Sequence, residues 1–150
     1  MKKKIIYIDM DNTLADYLRY AKECNVDPNQ AKHIQGFFIN LKPFPDAIDS
    51  YNLLDKYFDI YILSTAPWSN PNALVEKINW IKKYLPNAYK NVIFSHHKDL
   101  NRGDYLIDDS ISNGAGNFIG EHILIHSNKF PNWKSVLKYI FNKEKIYEKI

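Results

Sequence analysis

The fold of this chain is decided by the stretch Ile5-Ile6-Tyr7-Ile8-Asp9-Met10-Asp11-Asn12-Thr13-Leu14. Apolar residues with high β-propensity fill positions 5–8, which predicts a strand that is buried on both faces. Two carboxylates, one residue apart, follow this strand directly. In an open parallel α/β sheet, ligand sites lie outside the carboxyl ends of the strands. We therefore expect Asp9 and Asp11 to meet at the mouth of a crevice.

Apolar runs and helical periodicities alternate along the rest of the chain. Strands are predicted over residues 4–9, 60–63, 92–94, 105–107 and 122–126, and helices over residues 14–24, 47–57, 70–85 and from 133 onward. Strands that alternate with helices in this way predict a parallel sheet with helices on both faces. The expected fold class is α/β, a doubly wound parallel sheet.

A less regular segment, residues 15–43, separates the first strand from the next helix. We interpret it as a small helical cap insertion that lies over the end of the first strand. Its aromatic pair, Phe37 and Phe38, either faces a substrate or packs the cap onto the core. Because no linker is long enough to separate domains, residues 1–150 are expected to form a single domain.

The composition bears on the class of protein. The formal charge of +3 suits a small anionic ligand but is too weak to indicate a nucleic-acid polymer. Cys24 is the single cysteine, so no intramolecular disulfide can form. The apolar run behind Lys2–Lys4 is too short for a signal peptide, and no stretch approaches the roughly 20 apolar residues of a membrane span. We expect a cytoplasmic protein that does not contact membranes.

Polar clusters follow four of the apolar runs: Asp9/Asp11, Ser64/Thr65, Lys98 and Asp108/Asp109. If all four clusters lie at one edge of one sheet, the two acid pairs repel each other unless a cation balances them. Oxygen ligands without a cysteine cluster favour Mg²⁺ over zinc. The sequence therefore predicts a magnesium site at this edge.

A phosphoryl group is the natural substrate for such a site. A carboxylate nucleophile attacks phosphorus to give an aspartyl-phosphate, and a metal ion neutralises the charge that keeps the two anions apart. A lysine and a hydroxyl hold the remaining phosphate oxygens. An acid two residues after the nucleophile protonates the leaving oxygen and later activates water. The pattern indicates a magnesium-dependent phosphatase.

The segment Asp9-Met10-Asp11-Asn12-Thr13-Leu14 resembles the D-x-D-x-T/V-L motif of the haloacid dehalogenase (HAD) superfamily of phosphohydrolases. The order acid pair, hydroxyl, lysine, acid pair matches the four motifs of that superfamily. Within it, the sequence resembles the 5'(3')-deoxyribonucleotidase family through residues 62–68, His96-His97-Lys98 and residues 103–109. The resemblance implies a HAD-like Rossmannoid fold and hydrolysis of nucleoside monophosphates, with deoxynucleotides favoured.

The resemblance also implies roles for individual residues. Asp9 would be the nucleophile and a metal ligand. Asp11 would be the general acid/base, with its backbone carbonyl on the metal. Lys98 would neutralise phosphate charge and orient Asp9.

For the phosphate-binding hydroxyl and the second acid pair, the sequence leaves alternative roles open. Ser64 would bind the transferring phosphate, and Thr65 takes that role if the strand register is shifted by one. Asp109 would be a side-chain ligand of the metal. Asp108 would either ligate through water or buttress the lysine.

The substrate is less determined than the chemistry, because the cap is short. Phe37 and Phe38 are candidates to stack on a nucleobase, and so is Trp68, which suits a packing role equally well. The alternative substrate is another small phosphate ester, such as a sugar phosphate. A non-catalytic phosphate-binding domain is a further alternative, although Asp9, Asp11 and Lys98 are all present.

Overall fold

The computed structural model describes residues 2–150, so Met1 of the predicted domain lies outside the described residues. Its sheet has five strands: β1 (Ile5–Ile8), β2 (Asp59–Ser64), β3 (Val92–Phe94), β4 (Tyr105–Asp108) and β5 (Glu121–Leu124). Their spatial order is β3-β2-β1-β4-β5, and neighbouring strands pair in parallel. The predicted α/β fold with a parallel sheet is confirmed.

The strand pairing brings the predicted polar residues to one edge. β1 is the central strand, and its last residue, Ile8, pairs with Ile62 of β2 and Ile107 of β4. Asp9 follows at once, while Ser64 and Asp108 are the last residues of β2 and β4. These three residues therefore lie at the carboxyl ends of adjacent strands.

The helices are α1 (Tyr17–Glu23), α2 (Pro28–Ala31), α3 (Ala47–Asp55), α4 (Asn72–Tyr84) and α5 (Trp133–Lys143). Short 3₁₀ turns occur at Phe38–Asn40, Pro86–Ala88, Lys98–Leu100 and Ala115–Asn117. In residues 2–150, every helix falls short of the length and apolarity that a bilayer crossing requires.

The first helix begins later than residue 14, where periodicity placed it. The carbonyl of Met10 accepts the N–H groups of Thr13, Leu14 and Ala15 at 3.3, 2.9 and 2.9 Å. This tight loop satisfies the backbone before a helix can begin, so α1 starts at Tyr17. Leu18, which the pattern placed on the apolar face, is 55% exposed.

The two faces of the sheet are covered differently. Buried residues of α3, α4 and α5 belong to one apolar cluster with Ile6 and Ile8 of β1. On the opposite face, Tyr7 packs with Leu63 and Leu106 beneath Phe118, in the loop between β4 and β5. The α-helices α3, α4 and α5 thus cover one face, and the connections after β3 and β4, each of which carries a short 3₁₀ turn, lie on the other side of the chain path.

Residues 15–43 leave and rejoin the core at one point. Ala15 and Pro43 form an antiparallel bridge. The N–H of Asp16 donates to the Lys42 carbonyl at 2.8 Å, and the N–H of Phe44 donates to the Leu14 carbonyl at 2.8 Å. These bonds close the base of the segment, which carries α1, α2 and the turn at Phe38–Asn40.

Candidate active site

Asp9 is buried at the end of β1, with 6% of its surface exposed. Its Oδ1 accepts a hydrogen bond from Lys98 Nζ at 2.8 Å, and its Oδ2 accepts one from Thr13 Oγ1 at 2.9 Å. Thr13 is itself fixed, because Trp133 Nε1 donates to its carbonyl at 2.9 Å. The Asp9 carboxylate is therefore held in one orientation through both oxygens.

Lys98 lies in a 3₁₀ turn after β3 and is 3% exposed. Its ammonium donates to Asp9 and also to Asp108 Oδ2 at 2.7 Å. Burial disfavours the charged ammonium, but the Asp9 and Asp108 carboxylates outweigh this effect and raise the pKa of Lys98. The lysine is therefore protonated and bridges the ends of β1 and β4.

Asp11 pairs with a lysine that the sequence did not single out. Lys77 of α4 is fully buried and donates to Asp11 Oδ2 at 2.7 Å. Burial raises the pKa of the Asp11 carboxyl, and the Lys77 charge opposes that rise. Among residues 2–150, no group donates to Asp11 Oδ1.

The third group of acids lies against Asp9. Each of Asp9, Asp108 and Asp109 offers one carboxylate oxygen, and these oxygens lie within 4.8 Å of one another. Burial and the Asp9 charge raise the pKa of Asp108 to about 7 and that of Asp109 to about 8. Both shifts therefore reflect burial first and the neighbouring negative charge second.

The donor set fits a divalent cation such as Mg²⁺. When all four carboxyls, Asp9, Asp11, Asp108 and Asp109, are ionised, they face two ammonium groups, Lys77 and Lys98, which leaves two negative charges in excess. A cation with two positive charges offsets this excess, and hard oxygen donors suit Mg²⁺.

The two predicted hydroxyl residues lie in different surroundings. Ser64 is fully buried, and its Oγ accepts a hydrogen bond from Lys77 at 2.9 Å. Thr65 is partly exposed, and its Oγ1 donates to the Ser95 carbonyl at 2.7 Å. Thr65, but not Ser64, lines the open cleft described next.

A cleft of about 330 Å³ opens beside the acids. It is lined by Asp11, Asn12, Tyr17, Lys32, Phe38, Thr65, Ala66, Pro67, Trp68, His96 and Asn113. A larger apolar groove of about 420 Å³ lies at the C-terminal end of α4, but none of the four acids lines it. The cleft is therefore the candidate substrate site.

The three predicted aromatic residues differ in their access to this cleft. Trp68 is 89% exposed at its rim, with its ring 6.1 Å from that of His96. Phe38 is buried and lines the cleft wall. Phe37 is also buried, but it packs against Tyr17 and Tyr20 and does not line the cleft.

Comparison with known proteins agrees with this arrangement. The family described as "5' nucleotidase, deoxy (Pyrimidine), cytosolic type C protein" matches residues 25–137. A protein of Vibrio phage KVP40, assigned as a 5'(3')-deoxyribonucleotidase, is 46% identical over 95% of this chain and 88% of its own length. The chain belongs to the 5'(3')-deoxyribonucleotidase family. Membership makes it a phosphoric monoester hydrolase of the 5'-nucleotidase type, as the motifs predict.

Other relatives extend the comparison. The 5'(3')-deoxyribonucleotidase of Bacillus subtilis is 28% identical over 99% of both chains. Among solved structures, the HAD hydrolase YfnB of Bacillus subtilis, crystallised with magnesium, aligns with a TM-score of 0.56. It covers 88% of this chain and 90% of its own at 13% identity, so it shows the HAD-like fold alone.

Lys77 is the charged residue in contact with Asp11 that the sequence pattern missed. The predicted apolar face of α4 contained Leu74, Ile78, Ile81 and Leu85. The structure buries Ile81 and Leu85 as predicted, but it also buries Ala73, Lys77 and Trp80, and it leaves Leu74 41% exposed. The available signal was Trp80, which has Lys77 three residues before it on the same helical face.

Proposed function

We propose that this protein hydrolyses deoxynucleoside monophosphates through an aspartyl-phosphate on Asp9, with Mg²⁺ as cofactor. The observation that carries the proposal is the ammonium of Lys98 held between Asp9 at 2.8 Å and Asp108 at 2.7 Å, with Asp109 beside them. Asp11 lines the adjacent cleft. In this proposal Asp9 is the nucleophile, Asp11 is the acid/base and the ammonium of Lys98 binds the phosphate. All three belong to the same edge of the sheet.

The reaction follows in two steps. In the first, an Asp9 oxygen forms a bond to phosphorus while the bond from phosphorus to the nucleoside oxygen breaks, and Asp11 gives that oxygen a proton. In the second, water attacks the phosphorus, Asp11 takes a proton from it, and the Asp9–phosphorus bond breaks. Lys98 has a third N–H, which is available to a phosphate oxygen.

The contacts of Asp108 and Asp109 differ, and the difference supports different roles at the metal site. When bound, Mg²⁺ would neutralise charge between the nucleophile and the incoming phosphate. Asp108 already uses Oδ2 on Lys98 and Oδ1 on the Ser110 N–H at 3.0 Å. Asp109 has no lysine partner among residues 2–150. This difference supports Asp109 as the direct ligand, with Asp9 and the Asp11 carbonyl, and Asp108 as the buttress of the lysine.

Substrate selection belongs to the segment over the cleft. Residues 15–43 act as a cap within a single domain, in which Phe38 forms the wall of the cleft. Trp68 offers an exposed ring at its rim for a nucleobase. Phe37 supports Phe38, since their rings are 5.7 Å apart and nearly perpendicular. Of the two hydroxyls, Thr65 is the better placed to reach a phosphate.

Phosphate release tests the proposal. The wild-type protein should release phosphate from deoxynucleoside 5'-monophosphates with Mg²⁺, and EDTA should abolish this activity. Asp9→Asn should reduce the release to background. Asp59→Asn is the matched control, because Asp59 is exposed at the start of β2 and should tolerate the same change.

A substrate panel decides the substrate class. Sugar phosphates that are hydrolysed faster than every nucleotide would reject the nucleotide assignment while leaving the chemistry intact. Absence of hydrolysis of any phosphate monoester by the wild-type protein with Mg²⁺ would reject the chemistry itself.

A further inference from the structure

Lys77 has no free donor. Its ammonium carries three N–H groups. They reach Asp11 Oδ2 at 2.7 Å, Ser64 Oγ at 2.9 Å and the Thr65 carbonyl at 2.9 Å. The side chain is fully buried. A phosphate could not bind this ammonium without displacing one of these partners.

Lys98 provides the contrast. It also lies within the core, but its ammonium has two protein acceptors, Asp9 and Asp108. One N–H therefore remains for substrate. The two buried lysines have different tasks, since only Lys98 has a donor to spare.

The contacts of Lys77 restrict Asp11 to one orientation. Asp11 Oδ2 accepts from the ammonium, while Oδ1 has no donor among residues 2–150. Oδ1 is itself buried. Asp11 as a residue lines the cleft, so the carboxyl that Lys77 holds belongs to the wall of the candidate substrate site.

Several contacts besides the one with Asp11 fix the position of the Lys77 ammonium. Its ammonium lies 4.7 Å from the centre of the Phe38 ring, a cation–π contact with the cap. Ser64 and Thr65 hold it from the end of β2. Lys77 thus links the cap, the strand ends and Asp11.

We propose that Lys77 is a positioning residue that fixes the Asp11 carboxyl in the wall of the cleft, where this carboxyl exchanges a proton with the substrate. This inference rests on the proposed function, in which Asp11 is the acid/base. It assigns Lys77 to proton transfer through Asp11 and not to phosphate binding. The consequence is that loss of Lys77 should matter most when the leaving group needs a proton.

The test compares two phosphate esters. A nucleoside oxygen is a basic leaving group that requires a proton, whereas p-nitrophenolate leaves without one. Lys77→Met should lower kcat for a deoxynucleoside 5'-monophosphate by about a hundredfold, with KM changed less than about threefold. Release of p-nitrophenolate in a single turnover, with enzyme in excess, should change less than about threefold. Single turnover reports the first step alone, so the water-activating role of Asp11 does not interfere.

A double-mutant cycle separates positioning from other roles. In an Asp11→Asn background, Lys77→Met should cost little further activity, because both changes remove the same proton transfer. Lys82→Met is the matched control, since Lys82 is an exposed lysine of the same helix. It should behave as the wild-type protein with both esters.

Ser64→Ala covers the case in which Lys77→Met does not fold. It removes one anchor of the ammonium while leaving its charge in place, and it should give a smaller loss, about three- to tenfold, with the nucleotide alone. Equal losses with both esters, or a full additional loss in the Asp11→Asn background, would overturn the proposal. Inactivity of the wild-type protein with both esters would instead reject the proposed function.

Discussion

At the scale of the residue, the site is a set of buried charges that are paired with each other. Asp9, Lys77, Lys98 and Asp108 are at most 6% exposed. A buried charge is costly unless it is paired and hydrogen-bonded. These charges lie together at one edge of the sheet, so each is paired with another. The pairing offsets the desolvation free energy and holds the side chains in fixed positions.

Gly114 supports one of these charges from outside the core. Its φ is +82°, and its neighbour Asn113 accepts a hydrogen bond from the Lys98 N–H at 2.8 Å. A Cβ on Gly114 would lie 2.1 Å from Asp99 Oδ1 and 3.0 Å from Lys98 N. The side chain of Asp99 can rotate away from such a Cβ. The backbone of Lys98 cannot, so the added methyl group would push this backbone aside and displace the Lys98 ammonium with it.

We therefore expect Gly114→Ala to lower kcat by about tenfold or more and to destabilise the protein by about 1–3 kcal/mol. Gly36→Ala is the control, because Gly36 also has φ +82° but a Cβ there meets no atom of residues 2–150 within 4 Å. It should lose stability without a comparable loss of kcat. Steady-state kinetics and thermal denaturation measure both effects, and equal kcat losses would contradict the displacement of Lys98.

At the scale of the element, α4 connects residues 15–43, the proposed cap, to Asp11, the proposed acid/base, through two consecutive residues. Lys77 faces Asp11, while the preceding carboxylate, Glu76, faces the cap. Glu76 Oε2 accepts the Gly36 N–H at 3.0 Å, and Oε1 accepts the N–H groups of Phe38 and Ile39 at 3.0 and 3.4 Å. The turn that carries Phe38 is therefore held by one carboxylate.

Glu76→Gln should loosen this turn, because the amide nitrogen cannot accept an N–H. Hydrogen bonds to a charged group contribute about 1.5–3 kcal/mol each. We expect KM for deoxynucleoside monophosphates to rise about tenfold, with little change in the hydrolysis of p-nitrophenyl phosphate, which does not need the cap. The measurement is a comparison of kcat and KM for the two esters.

Glu23→Gln is the matched control for Glu76→Gln. Glu23 is an exposed cap residue whose carboxylate meets only the Arg19 side chain, at 3.2 Å, among residues 2–150. Loss of such a surface pair costs less than about 1 kcal/mol. A similar rise in KM in this variant would show that cap charge, and not the Glu76 contacts, sets substrate binding.

At the scale of the whole molecule, the strand order gathers four carboxylates at one edge and only two lysines with them. Burial, with the Asp9 charge, raises the pKa of Asp108 to about 7 and that of Asp109 to about 8, from 3.8. A carboxyl whose folded pKa is raised favours the folded state when protonated. Between the unfolded pKa and the folded pKa the unfolded chain is ionised while the folded carboxyl keeps its proton, so stability falls as pH rises through this interval.

In EDTA, the melting temperature should fall as pH rises from about 4 to about 8, the interval between the unfolded and the folded pKa values, and should level off above it. Mg²⁺ should reverse this fall, because a ligand of the folded state stabilises it by mass action. Asp109→Asn, which removes the more strongly shifted carboxyl, should flatten the pH dependence in EDTA. Differential scanning calorimetry measures these changes. A melting temperature of the metal-free wild-type protein that stays flat or rises over this pH range would contradict the raised pKa values of Asp108 and Asp109.

Local sequence patterns were sufficient to predict the sheet and the edge at which its acids lie. Residues 5–8 are apolar without interruption, and Asp9 and Asp11 follow at once, so the strand and its ending are local signals. The same holds for Asp108 at the end of β4. Local patterns suffice because parallel strands bring their carboxyl ends to one edge.

The side chains that meet at this edge could not be predicted without the three-dimensional packing. Lys77 is an ordinary helix residue by propensity, and its burial depends on a carboxylate that lies far from it in sequence. Likewise, Ser64 points to this lysine and Phe37 packs into the cap, although the sequence allows either residue to face a substrate. Periodicity reports how polar a face is on average, but a buried charge is stable only beside its partner, and the fold alone brings the two together.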